Sequence, residues 1–189
     1  MKAKLLLLFL VLFLIPACQN YDQPLEPESP SGTKQFLSMP AKSDNIQIEE
    51  IFSAHKFVSG INGDTIVFNF SYISNTGSPV KIYGTLVIPP GSFNDETDFT
   101  LLVDQNQTYI DFYPSPKTFD SPVILDLTYE GLDLNGIDSD KIDFYYIGDS
   151  NNYFEVARKN KKLFDAKSGT ISIVGAVIPH FSRWGVGND

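Results

Sequence analysis

Residues 65–73 read TIVFNFSYI. Ile66, Phe68, Phe70 and Tyr72 recur at every second position, and Asn69 and Ser71 fall between them on the other face. Successive side chains of an extended chain point to opposite sides, so a two-residue period is that of a half-buried β-strand. The stretch predicts one strand. Its neighbours decide whether it belongs to a sheet or to a mixed fold.

Working outward, the same period returns three times. In VKIYGTLVI (80–88) the repeating set is Val80, Ile82, Leu86 and Ile88. In PVILDLTYE (122–130) Val123, Leu125, Leu127 and Tyr129 alternate with Asp126, Thr128 and Glu130, and in KIDFYYI (141–147) Ile142, Phe144 and Tyr146 repeat. Turn residues separate these runs: Asn62-Gly63, Thr76-Gly77-Ser78-Pro79, Pro89-Pro90-Gly91, Pro114 to Pro116, Asn135-Gly136, Gly148-Asp149 and Ser168-Gly169. Only NIQIEEIFSAHKF (45–57) admits a helical turn, and Ile46, Ile48 and Ile51-Phe52 fit a bulged strand equally well. Many short strands with Gly and Pro turns and no βαβ alternation predict an all-β, antiparallel β-sandwich. Residues 45–189 are enough for one such domain.

Ahead of that domain the composition changes twice. Residues 1–17 place Lys2 and Lys4 before an apolar run from Leu5 to Ile15, the charged and apolar regions of an export signal, too short for the roughly 20 residues of a membrane span. Ile15-Pro16-Ala17-Cys18 resembles the bacterial lipobox, which implies cleavage before Cys18 and acylation of its thiol and new amino group. Cys18 is the sole cysteine, so no disulfide framework is available, and lipidation accounts for the odd thiol. Several acyl chains anchor stably, at about 0.8 kcal/mol per buried methylene. Gln19, rather than Asp, follows the cysteine, which by the sorting rule of enteric bacteria implies the outer membrane. Residues 18–44 begin with Cys18 followed by QNYDQPLEPESPSGTKQ, a Pro-, Glu- and Ser-rich stretch that buries too little apolar surface to offset its ordering entropy, and they are expected to be a flexible tether.

The formal net charge is −9, and losing Lys2 and Lys4 with the signal would make the mature chain more acidic still. Such a charge argues against nucleic acid and against direct adhesion to anionic headgroups. The expected membrane contact is the lipid at Cys18.

One series of punctuated strands is more specific than the fold class. Gly84-Thr85-Leu86-Val87-Ile88 runs into Pro89-Pro90-Gly91-Ser92-Phe93. Phe112-Tyr113-Pro114 leads to Phe119-Asp120-Ser121-Pro122-Val123 and ILDLTY, followed by KIDFYYIGDSNNYFEV and finally Val177-Ile178-Pro179-His180-Phe181-Ser182-Arg183-Trp184-Gly185-Val186. Over residues 81–186 this series resembles the ZU-five domain, the β-sandwich of zona occludens scaffold proteins, netrin receptors, ankyrins and many bacterial surface proteins. The resemblance implies a protein-interaction or structural module with no cofactor. No ankyrin repeat or death domain accompanies it here, so the partners of those relatives are not carried over.

Some members of that family cut themselves between Phe and Ser of a His-Phe-Ser motif. Carried onto this chain, the Ser182 hydroxyl would attack the Phe181 carbonyl, with His180 easing proton transfer. The simpler reading is a closing strand: Pro179 resets the register, Phe181 enters the core, and Ser182, Trp184 and Val186 take the other face. We expect the closing strand and no enzyme.

The sequence offers two further candidate sites. GLDLNGIDSDK gathers Asp133, Asn135, Asp138 and Asp140, oxygen ligands of the kind Ca²⁺ takes, but Gly136 comes too early for an EF-hand and no bidentate Glu closes the loop, so a solvated hairpin turn is expected. With His55 and His180 as the only histidines and one cysteine, no transition-metal spacing exists. The second functional class is a glycan-binding surface on Tyr109, Tyr113, Tyr145, Tyr153 and Trp184, for which three exposed coplanar rings would be the sign. The expected protein is therefore a lipid-anchored cell-envelope protein carrying a sandwich for interaction or structure, with a glycan surface as the alternative.

Overall fold

The computed structural model describes residues 34–43, 52–148 and 154–188. Within them the chain forms β1 (Gln35–Phe36), β2 (Ser53–Ser59), β3 (Asp64–Ile73), β4 (Pro79–Ile88), β5 (Glu96–Val103), β6 (Tyr109–Tyr113) and β7 (Lys117–Glu130). A 3-10 turn at Ser139–Lys141 precedes β8 (Ile142–Ile147), β9 (Phe154–Val156), β10 (Lys161–Asp165), β11 (Thr170–Phe181) and β12 (Arg183–Asn188). All pairings are antiparallel and build two sheets. One runs β2-β5-β6-β12-β8-β9, with β1 on β12 where β6 ends; the other runs β10-β11-β7-β4-β3. The chain is an all-β sandwich.

The alternation read in residues 65–73 sets the register of the five-stranded sheet. Ile66, Phe68 and Tyr72 stand opposite Leu86, Gly84 and Val80, and Phe70 stands opposite Ile82, all on the inner face. Val123, Leu125, Leu127 and Tyr129 of β7 continue that face. Opposite them lie Phe99, Leu101 and Val103 of β5, Ile110 and Phe112 of β6, Ile142 and Phe144 of β8, and Trp184 and Val186 of β12. Each such large apolar side chain contributes about 1.5–3 kcal/mol by leaving water. Gly84 is demanded by the packing, since a Cβ there would sit 2.0 Å from the Asp126 carbonyl oxygen and 2.8 Å from the Phe68 ring.

Strand β11 needs two corrections of register to stay in this core. Ile171 and Ile173 face inward at odd positions, whereas Ala176 and Ile178 face inward at even ones. Between them Gly175 adopts φ +66, a bulge, and its N–H is held at 2.7 Å by the Asp126 carboxylate. A second shift, between Ile178 and His180, returns Phe181 to the core, as expected of Pro179, which has no N–H for the ladder. At Ser182 the chain then leaves the five-stranded sheet and enters the seven-stranded one as β12.

Two expectations are corrected. Residues 34–43, placed in the tether, belong to the sandwich. Phe36 pairs with Gly187, the Leu37 N–H donates to the Val186 carbonyl, and the Met39 N–H donates to the Asn106 carbonyl. Leu37 and Met39 are buried in the main core, while Phe36 meets Tyr109 edge-on at 6.3 Å over Tyr145 and Ile147. The buried Thr108 hydroxyl lies 2.7 Å from the Val186 carbonyl and 3.2 Å from that of Leu37, tying strap, loop and β12 together. Trp184 and Val186, expected on the face away from the core, are buried in it, because the change of sheet at Ser182 turns the parity over. Of residues 45–57, β2 accounts for Ser53 onward and Phe52 is buried; residues 44–51 lie outside the described residues, as do the export signal and Cys18.

Candidate functional site

The corner at Ser182 brings a sequence-derived chemical motif to a cleft. Phe181 is fully buried, its ring 4.5 Å from Phe99, 4.9 Å from Phe119 and 5.3 Å from Phe112. Its carbonyl oxygen accepts a hydrogen bond from Ser115 Oγ at 3.3 Å, and the Ser182 carbonyl accepts one from the Phe112 N–H at 3.0 Å. Ser182 opens onto a cleft of about 220 Å³ walled by Asp111, Tyr113, Ser115, Ile147 and Arg183. Arg183 grips Asp111 with two bonds, Nε to Oδ1 at 2.7 Å and Nη2 to Oδ2 at 3.0 Å, and lies 4.4 Å over the Tyr109 ring. That carboxylate raises the guanidinium pKa further above its usual value.

The triplet's residues do not converge. His180 turns its ring to Tyr146, 4.8 Å away and nearly perpendicular, and to Trp184 at 5.9 Å. Among the described residues no hydrogen bond joins His180 to Ser182 Oγ. An acyl shift needs a base within hydrogen-bond reach of the attacking hydroxyl. What the corner does possess is a donor, Ser115, on the carbonyl such a shift would attack, and the Arg183–Asp111 pair, which holds β6 against β12. Asp111 and Arg183 are 72 residues apart, and no motif in the sequence connects them.

Two of the calcium candidates, Asp133 and Asp138, serve the loop's own backbone. Asp133 accepts from the N–H and the side-chain amide of Asn135 at 3.2 and 2.7 Å, and Asp138 caps the 3-10 turn by accepting the Asp140 N–H at 3.0 Å. Among the described residues no group of three or more His, Cys, Asp or Glu side chains gathers around a point fit for a metal. The aromatic candidates are dispersed as well. Trp184 and Tyr145 are buried, Tyr109 is covered by Arg183 and Phe36, Tyr113 alone is exposed, and Tyr153 lies outside the described residues.

Exposed apolar side chains point elsewhere. The large ones are Phe57, Ile61, Val67, Ile73, Val87, Tyr113, Val156 and Leu163. Phe57 is on β2, Val67 and Ile73 on β3, Val156 on β9 and Leu163 on β10, which are the four strands at the edges of the two sheets. The fold thus defines an antiparallel two-sheet sandwich with apolar side chains along its rims. Comparison with protein-family models and with curated proteins finds no match to this chain.

Proposed function

We propose that this protein is a lipid-anchored cell-envelope protein, held by Cys18, whose β-sandwich is a non-catalytic module for protein interaction of the ZU-five kind. The observation that carries the interaction reading is the placing of five of the eight exposed large apolar side chains on edge strands. Soluble sandwiches protect their edges with charge, proline or bulges, because an edge with free N–H and C=O groups is a template for another strand. Apolar side chains beside such groups suit a partner that adds its own strand. The anchor rests on the order of charged residues, apolar run and Ile15-Pro16-Ala17-Cys18.

The test is a photoreactive amino acid placed singly at Phe57, Val67 or Leu163 in the full chain, expressed in its own cells. Discrete adducts from these positions and none from the outward Thr128 of β7, the middle strand of its sheet, are expected. Adducts from Thr128 alone would remove the edges from the account. Radiolabelled palmitate appearing on the chain and vanishing in Cys18→Ser checks the anchor.

A further inference from the structure

Residues 154–165 form one ribbon that closes a flank of the sandwich. Val156 ends β9 at the rim of the seven-stranded sheet, and the N–H of the buried Ala157 donates to Phe144 of that sheet at 2.7 Å. One residue later the ribbon has crossed over, because the Arg158 carbonyl accepts the Val177 N–H at 2.7 Å and the Asn160 N–H donates to the Val174 carbonyl at 2.9 Å. It continues as β10, the rim of the five-stranded sheet. Lysines fasten it across the sandwich. Lys159 pairs with Asp143, and Lys162 Nζ donates to the Ser139 carbonyl at 2.7 Å and also to that of Ile142.

Cations cluster on this flank, which also holds Glu155 and Asp165. Five of the 14 Lys and Arg residues fall between positions 158 and 167, in a chain of net charge −9. Of the described cations elsewhere, all but Lys141 are engaged: Lys56 with Asp64, Lys81 with Glu130, Lys117 with Asp95, Arg183 with Asp111, Lys34 over Tyr145 and Lys42 over Phe52. Arg158 and Lys161 on the ribbon are exposed, as is Lys141 on the 3-10 turn to which Lys162 is tied, and among the described residues none of the three has a carboxylate partner. Val156 and Leu163 stand beside them, 50% and 43% exposed. The rim across the sandwich is less open, since β3 has its Thr65 carbonyl taken by Lys56 Nζ and its Ile73 carbonyl by the Ser43 N–H.

We propose that the β9–β10 rim is the docking edge, and that its occupant is an acidic, extended segment of a partner protein that adds as a strand along β10. The inference rests on the interaction reading above. Ladder hydrogen bonds supply the geometry, Leu163 on β10 receives an apolar side chain, and Arg158, Lys161 and Lys141 attract the acidic ones. A flat anionic membrane would meet the negative charge of the rest of the domain, which disfavours it as the occupant.

The probe is a fluorescent octapeptide of alternating Glu and Val, titrated against the full chain in mild detergent and followed by anisotropy. Saturable binding is expected, weakened about tenfold by Arg158→Glu with Lys161→Glu, because two attractions become repulsions. The same peptide N-methylated at alternate amides keeps its charge but loses its ladder bonds, and it should not bind. Unchanged binding by the charge-reversed variant at an unchanged melting temperature, or by the methylated peptide, overturns the proposal. So does binding to phosphatidylglycerol vesicles with none to the peptide. If a photoprobe at Val67 captures a discrete partner while the peptide ignores the ribbon, the interaction module stands and this edge is wrong; silence from both ends both.

Discussion

At the scale of single residues, Phe181 and Ser182 are neighbours with opposite duties. The Phe181 ring is the meeting point of Phe99, Phe112 and Phe119, so Phe181→Ala should cost about 3–5 kcal/mol in denaturant unfolding. Ser182→Ala, half-buried at the corner and, among the described residues, without a hydrogen bond from its hydroxyl, should leave stability within about 0.5 kcal/mol. The full mass of the chain should persist for hours at neutral pH; loss of residues 182–189, abolished by Ser182→Ala, would make the corner a cleavage site. Tyr72 reports on the strap. Its hydroxyl donates to the Pro40 carbonyl at 2.6 Å, and burial pushes its pKa up to about 12. The folded state thus prefers the protonated phenol. Its contribution to stability is complete below the ordinary tyrosine pKa near 10 and is lost as pH rises toward 12. Tyrosinate absorbance should therefore show a late step that coincides with unfolding, and Tyr72→Phe should remove part of that alkaline dependence.

At the scale of elements, the strap of residues 34–43 separates the sandwich from a shorter domain. Removing it would expose the main core at Leu37 and Met39, for about 3–6 kcal/mol together, and would strand Thr108 without one of its carbonyl partners. A chain with residues 34–43 replaced by Gly and Ser should melt at clearly lower temperature, and an unchanged melting point would return that stretch to the tether. The strap was illegible in sequence for a physical reason. Phe36, Leu37 and Met39 have no strand-length alternation of their own, and their burial comes from the Thr108 loop, 71 residues from Leu37, and from β12, at the far end of the described residues. By contrast β3, β4, β7 and β8 were legible because each carries its own period of two against one core. The strand crossing at Ser182 sat between these cases. Pro179 announced a shift of register, but only the neighbouring sheet shows that Trp184 and Val186 turn inward after it.

At the scale of the whole molecule, charge and edges are distributed unevenly, and neither could be read from composition. The run Arg158-Lys159-Asn160-Lys161-Lys162 is plain as text, yet its place on a sheet rim follows from the order of strands, and the division between fastened and exposed lysines follows from Asp143, Ser139 and Ile142. The calcium loop and the dispersed aromatics show the converse, sequence patterns whose residues serve turns and core instead. The most direct measurement is hydrogen–deuterium exchange on the full chain, free in detergent and again in native membrane fragments. New protection confined to the edge peptides 53–59, 64–73 and 154–165 is the result expected of an interaction module. Protection at 111–115 and 181–183, or no change anywhere, would contradict it.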